Sequence, residues 1–432
     1  EEGTMAAKTA PAELEAKLDI DHHSADFARH CHLLFRKARA ETPILRSGCH
    51  GGFTIVTRHD DIRAVLRDPG RFSSARFPTG DGRLGGGVAI PPNGMRIGVI
   101  EMDAPEATQL RDLIKPWFSR AAVEAATPRI RQISRWVIER VIGRGECDVV
   151  EDLAKPMPSL LILDILGLPL SRWRAYGRVL HEAVAKSGGS MAGLRWLAED
   201  LRLTLEAGEY ETEGLIAALV RAELGGRPLG LEMTCELALM LLFGGSDTTI
   251  AAICHAMRHL SEHPDDRRRL IATPDVIGDT VEELLRLHSP STGVARTVMA
   301  PAAIAGVNLN PGERVLCALN SGNRDEAVFK DAEQFDLARP RRPHLAFGAG
   351  PHACLGQNLA RADLRIFLTD VLAAMPDFDI DPARTARYAS TPLVNGYAAM
   401  PMRFAPRPSN PGAATANEWP GLTAPRLKPA ID

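Results

Sequence analysis

A mainly α-helical protein with small β-sheets is what the sequence predicts, on three observations. Apolar residues recur at helical spacing through most of the stretch from 106 to about 290. Strand-type runs are short and fall at the two ends of the chain and between about 293 and 317. A clean helical pattern, "QNLARADLRIFLTDVLAAM", follows a glycine-rich loop near residue 356. The 432 residues, 45% of them hydrophobic, can bury a large core, and a length prior would allow two or three domains. No linker supports such a division, so one unit over 25–405 is expected. Residues 1–24 hold a lead-in in which Glu1–Thr4, ahead of Met5, read as a tag vestige, and 406–432 form a Pro/Ala/Gly-rich tail with little to order it.

Taken in order, "ILRSGCHGGFTIV" reads as a hairpin turning at Gly51-Gly52. "RHDDIRAVLRDPG" carries acidic residues in its first turn and Pro69-Gly70 at its stop, which are helix boundary signals. The stretch 78–101 holds seven glycines and three prolines, reads as no regular element, and by its length suggests a lid or binding segment. "SRWRAYGRVLHEAVAKSGG" and "LRWLAEDLRLTLEAG" read as a helical hairpin with a glycine-rich tip.

Composition excludes several classes of function. A formal charge of −3 gives no global attraction to nucleic acid or anionic membrane. The longest apolar run, "CELALMLLF", is about nine residues, too short to span a bilayer, and no signal peptide is evident, so a cytoplasmic protein without nucleic-acid or membrane partners is expected. Seven scattered cysteines without CxxC spacing point to a reducing compartment.

Cys354 lies just before a helix N-terminus, where free backbone N–H groups and the positive dipole end favour a thiolate. Most lone cysteines are small buried hydrophobes. The surrounding "FGAGPHACLG" changes that reading, because Phe-Gly-x-Gly-x-His-x-Cys-x-Gly resembles the haem-binding loop of the cytochromes P450. The resemblance implies that Cys354 is the axial thiolate of haem b, whose electron donation favours O–O cleavage, and that Phe347, Gly348 and Gly356 shape the loop around the ring.

Other segments resemble the family in the same order along the chain, over roughly residues 25–405. In "VEELLRLHSP", Glu283 and Arg286 share a helical face. Taken alone they would be a solvated pair worth a few tenths of a kcal/mol. With "FDLARP" downstream, they and Arg339 resemble the family's buried Glu-Arg-Arg cluster, a structural scaffold. "GGSDTT" interrupts an apolar helix with Gly244-Gly245, and resembles the oxygen-activation groove, implying catalytic roles for Asp247 and Thr248 in proton delivery. "DAPEATQLRDLIKPWF" and "GVARTV" nominate Arg111 and Arg296, with His352, as partners of the haem carboxylates. Ala107 stands where many relatives have a polar residue, and Pro116 predicts an early helix end. "NSGNRDEAVFKDAEQFDLARP" is similar to the family's meander before the cysteine loop.

The resemblance implies the P450 fold, with haem between a long distal helix and the proximal helix after the cysteine loop. It implies a monooxygenase that uses O2 and two external electrons to oxidise a small molecule. Family correspondence lines the pocket with Met240, Phe243 and Gly244 on the distal helix, Val294 and Ala295, and Leu393 and Val394. These apolar residues suit an apolar substrate, with Arg83, Asn93, Arg96 and Asn395 available for polar groups. Hydroxylation, oxidative coupling without oxygen insertion, and non-catalytic haem ligand binding all remain open at this level. With no reductase-like region in these residues, electrons are expected from a ferredoxin and its ferredoxin reductase. Arg341, Arg342, Arg361 and Arg365, with Lys115 and Arg120, offer a basic docking face for an acidic ferredoxin, and a monomer is expected.

Overall fold

Helix α1, Ala25–Glu41, begins where Ser24 accepts a hydrogen bond from the Phe27 N–H at 3.0 Å, satisfying one of the donors a helix start leaves free. The computed structural model describes residues 15–17, 19–80, 84–92, 94–185, 191–340, 342–408 and 423–429. The expected hairpin forms from Ile44–Ser47 and Phe53–Val56, with Leu45 opposite Ile55. They are strands β2 and β3 of a six-stranded sheet that starts with β1, Glu15–Lys17, in the lead-in, and includes β4, Phe72–Ser73, β5, Val294–Val298, and β6, Arg314–Cys317. Its order is β1-β2-β3-β6-β5-β4, with β3 and β6 parallel and the β5–β6 pair antiparallel.

Helix α2, His59–Leu66, carries Asp60 and Asp61 in its first turn as expected. The glycine-rich stretch after it is more ordered than its composition implied. Arg76–Pro78 pairs with Leu84–Gly86, and Gly98–Glu101 makes a 3₁₀ turn. Two buried side chains explain the order: Glu101 accepts from the Val88 and Ile97 N–H groups and from Arg76, pinning the loop from inside. Helix α3, Glu106–Ile114, gives way to a 3₁₀ turn containing Pro116, so the early end is present.

The helices that frame the site include α4, Pro156–Leu166, α5, Trp173–Ala185, α6, Met191–Glu206, α7, Leu231–Glu262, α8, Ile277–His288, and α9, Gln357–Ala374. Helices α5 and α6 pack on each other, with the rings of Tyr176 and Trp196 edge to face, while the tip expected between them falls outside the described residues. Helix α7 runs unbroken for 32 residues, about 48 Å, through Gly244-Gly245, and packs against α4, α5 and α6. Its glycines break no hydrogen bonds. A Cβ on Gly245 would come within 3.3 Å of Ile162 on α4, whereas one on Gly244 would meet nothing. Among the described residues α7 is the one helix long and apolar enough to cross a bilayer, and 67% of its most apolar window is buried within the protein.

The tail differs from its expected looseness at its far end. Arg426 pairs with Asp164 and Glu211, Arg129 donates to the Ala424 carbonyl, and Leu427 is buried, so 423–429 dock on the α4 side.

Candidate active site

The cysteine loop reaches its position by glycine geometry. Gly348 and Gly350 have φ of +67° and +71°, and a Cβ on Gly350 would fall 2.1 Å from the Leu66 carbonyl oxygen of α2, so only glycine fits against that helix end. The Cys354 N–H donates to the Phe347 carbonyl at 2.9 Å and closes the loop. Gly356 then caps α9 without any side-chain bond, leaving the helix N-terminus beside the sulfur. Cys354 is deep below the molecular surface, yet its side chain is open to a cavity of roughly 1940 Å³, mouth included, between α7 and α9. Burial raises its thiol pKa, while the Gly356 N–H, Arg111 and Arg361 act in the opposite direction.

Around the same cavity stand Phe347, Gly348, Gly356, Arg111, Arg296 and His352 from the thiolate side, and Gly244, Asp247 and Thr248 from α7. Arg296 is 3% exposed and Arg111 half-buried; among the described residues neither forms an ion pair, and burial lowers both pKa values. Arg111 donates to the Ala353 carbonyl at 2.7 Å, beside the cysteine. His352 bonds Ser74 Oγ through Nε2 at 2.9 Å, its Nδ1 is buried without a partner, and burial with Arg296 and Arg111 nearby pushes its pKa down to about 4.

Behind the loop, Glu283 and Arg286 on α8 form a bidentate pair, both contacts 2.8 Å, and Arg339 reaches Glu283 at 3.0 Å. Arg286 also donates to the carbonyls of Asn323, Ala332 and Gln334, so every polar valence of this buried group is used. Asn323 bonds Ser289 and accepts the Leu345 N–H, which carries the scaffold into the cysteine loop.

On the opposite side the sequence reading missed two residues. Asp247 is 2% exposed and its carboxylate accepts from His181 Nδ1 of α5 at 2.8 Å and from Tyr388 Oη at 2.8 and 3.0 Å. Burial first, then Asp247, drives the Tyr388 hydroxyl far above its usual range. Neither partner has a local signature: His181 sits in an ordinary amphipathic helix, and Tyr388 in the C-terminal strand region. Thr248 Oγ1 donates to the Gly244 carbonyl at 3.2 Å.

Six of the seven residues expected at the substrate pocket border a cavity. Met240, Phe243, Gly244, Val294, Leu393 and Val394 face the central cavity, and Met240, Phe243, Val88, Ile97, Val184 and Leu393 also border a second, outer cavity of about 1430 Å³. Ala295 is a correction. Strand side chains alternate, so with Val294 and Arg296 turned toward the cavity Ala295 points away, fully buried in the core under the sheet. Arg96 borders the outer cavity but is engaged in two 2.6 Å bonds to Glu236. Asn395 is occupied by Arg387 and the His288 carbonyl and lines neither cavity. Arg83, Asn93 and Arg341 lie outside the described residues. Ala107 is part of the apolar core, 3% exposed.

Comparison with known proteins gives the family. A cytochrome P450 family profile matches residues 199–382. A Steroid C26-monooxygenase of Mycolicibacterium smegmatis is 30% identical over 86% of this chain and 92% of its own, and Nocardicin C N-oxygenase of Nocardia uniformis is 34% identical over 78% and 86%. Among solved structures, Mycobacterium marinum cytochrome P450 CYP268A2 in complex with pseudoionone superposes with a TM-score of 0.81 at 28% identity, covering 90% of this chain and 99% of that one. The protein is a haem-thiolate enzyme, and the chain belongs to the cytochrome P450 family, as an oxidoreductase of the monooxygenase type. Its cofactor is haem b. The residues present fit that group: a sulfur at a helix N-terminus for iron; a buried Arg296 and a half-buried Arg111, neither ion-paired among the described residues, and a histidine with an unpartnered nitrogen for the carboxylates; and open space beside Gly244.

Proposed function

We propose that the protein hydroxylates a largely apolar small molecule that enters through the outer cavity and is held above the haem. The supporting observation is continuity: the same apolar side chains, Met240, Phe243, Val88 and Leu393, border both cavities, so one lined passage leads from the outer space to Thr248 and Cys354. Bound haem would supply activation of O2, with two electrons and two protons, one oxygen atom going to the substrate and the other leaving as water. The chain's own residues then do the rest. Cys354 holds the iron, Arg111, Arg296 and His352 hold the carboxylates, and Glu283, Arg286 and Arg339 fix the scaffold beneath. Asp247 and Thr248 carry protons into a site whose walls otherwise exclude water.

Electrons are proposed to come from an acidic ferredoxin and its reductase, docking on the thiolate side of a monomeric, cytoplasmic enzyme. Arg342, Arg365 and Lys115 are exposed there and, among the described residues, form no ion pair. Arg120 pairs with Glu124, and Arg361 with Glu282 at 2.7 Å while its guanidinium lies 4.4 Å over the Phe347 ring, so Arg361 belongs to the loop's support rather than to a free docking face. Burial would raise the Glu282 carboxyl, but the His344 ring beside it and the hydrogen bonds from Arg361 outweigh it and hold it at about 2.

The test is a spectral titration of the ferric protein with steroids, macrolides, terpenoids and polar analogues, then product analysis with a ferredoxin system. Apolar ligands should displace the iron-bound water, and the product should gain one oxygen atom. A product that has only lost two hydrogens would overturn hydroxylation, and binding restricted to polar ligands would overturn the substrate class.

A further inference from the structure

Three histidines that the active site does not use meet at the outer end of the passage. His22 and His23 lie in the lead-in to α1 and His50 at the tip of the β2–β3 hairpin. Their ring centres are 4.4 Å apart for His22 and His23, 4.9 Å for His23 and His50, and 5.3 Å for His22 and His50. One nitrogen from each ring lies within 4.8 Å of the other two. Imidazoles sharing a metal ion at about 2.05 Å, with ring centres about 1 Å further out, place those centres roughly 4.5–5.2 Å apart for ligand angles between octahedral and tetrahedral. The observed triangle nearly coincides with that range.

Hydrogen bonding prepares the rings for the same role. His23 Nε2 lies 2.7 Å from the Ile90 carbonyl oxygen, which only accepts, so Nε2 carries the proton and Nδ1 the lone pair. His50 Nε2 donates to Asp21 Oδ1 at 2.8 Å, with the same consequence for its Nδ1. His22 is 2% exposed, flanked edge-on by Phe53 and Phe27, and its Nδ1 has no partner. A carbonyl or carboxylate behind each exposed ligand ring is the arrangement that orients metal-bound histidine. His50 is also one of four non-glycine residues with positive φ among the described residues, at +53°, within "GCHGG". Glycine or asparagine would adopt that conformation more cheaply. Its side chain is 23% exposed, which leaves a path for an ion from solvent.

We propose that His22, His23 and His50 bind one divalent ion of the zinc type, with solvent as the fourth ligand and Asp21 orienting His50. His22 and His23 border the outer cavity, and His23 holds Ile90 in the loop on its other side. The ion thus ties the α1 lead-in, the hairpin tip and, through His23, the 88–92 segment together at the entrance used by the substrate.

The experiment uses the haem-loaded full chain without an affinity tag, stripped by chelator and dialysed, and titrates ZnCl2 alone with metal counted by elemental analysis. Wild type should bind one zinc per chain with micromolar or tighter affinity, and zinc should raise its Tm and slow amide exchange in 88–92. His50→Asn, which tolerates the left-handed backbone, and His23→Ala should each weaken binding at least tenfold, and His30→Ala, on an exposed turn of α1, should not. Unchanged haem and CO spectra certify folding; if His22→Phe does not fold, His50→Asn decides alone. No zinc bound at a hundredfold excess over protein, or equal binding by wild type and His50→Asn, would overturn the site.

Discussion

The two faces of the central cavity are built by different kinds of contact. On the thiolate face, the supporting cluster joins groups that are neighbours in sequence or within one downstream segment: Glu283 meets Arg286 three residues on, and both meet the stretch 323–339. On the α7 face, Asp247 is held by His181, 66 positions away, and by Tyr388, 141 away. The Glu283–Arg286–Arg339 cluster is a closed network in which each charged group is bonded to a fixed partner. The α7 face joins α5, α7 and the C-terminal region around one carboxylate, so its state depends on how three separate elements are placed. The two sides are therefore mechanically separate: no residue that holds Asp247 also bonds Glu283, Arg286 or Arg339.

The largest effect tests the frame at its centre. Cys354→His should abolish product formation and shift the ferrous-CO absorption from the thiolate to the imidazole position, with haem still bound. Retention of the thiolate-type band would remove Cys354 as the ligand. Next, Glu283→Gln leaves Arg286 and Arg339 buried beside a neutral side chain. Such a loss costs about 3–5 kcal/mol, so the denaturation midpoint and haem content should both fall sharply. A midpoint unchanged within error would mean that the carbonyls around Arg286 suffice by themselves.

The α7 face should respond in kind as well as size. Asp247→Asn is expected to slow turnover by about 10²–10⁴-fold, the usual range for a group that handles protons. Thr248→Ala should keep consuming reductant while product per electron falls, because the hydroxyl is replaced by space that water can enter. Tyr388→Phe removes one of the two side chains that donate to Asp247, and should slow turnover by less than Asp247→Asn. Equal losses in the tyrosine and aspartate variants would show that the hydroxyl itself takes part in proton movement. Parent-like values in all three would place proton delivery elsewhere.

This division also explains what the sequence disclosed. Cys354, Glu283, Arg286 and the Asp247-Thr248 pair lie in local patterns dictated by helix spacing, glycine turns or a helix start, so each can be read from a few residues. Both Val294 and Ala295 are expected at the lining, yet only Val294 borders the cavity, because choosing the inward side of a two-residue period requires the strand's register in the sheet. His181 and Tyr388 have no local mark at all, and their role exists only once α5 crosses α7. The order in 84–101 was hidden because a single buried carboxylate, Glu101, organises it from the far end of the loop.

Asp363, like His352 Nδ1, departs from full satisfaction on the thiolate face, and it gives the most pH-specific prediction. Asp363 on α9 is 2% exposed, its Oδ1 has no partner, and burial pushes its pKa up to about 7 from an ordinary 3.8. Below about pH 4 the carboxyl is neutral in both folded and unfolded chains and contributes no penalty. Between about 4 and 7 the unfolded chain releases this proton while the folded one keeps it, so stability falls as pH rises, by at most about 1.4 kcal/mol per unit. Above about 7 the penalty is complete and constant. Asp363→Asn keeps the shape and removes the charge, so the Tm difference between variant and parent should be small at pH 4, grow in the variant's favour up to about pH 7, and then level off. A difference independent of pH would show that Asp363 is ionised throughout and partnered, which would return the thiolate face to the fully bonded network seen around Glu283.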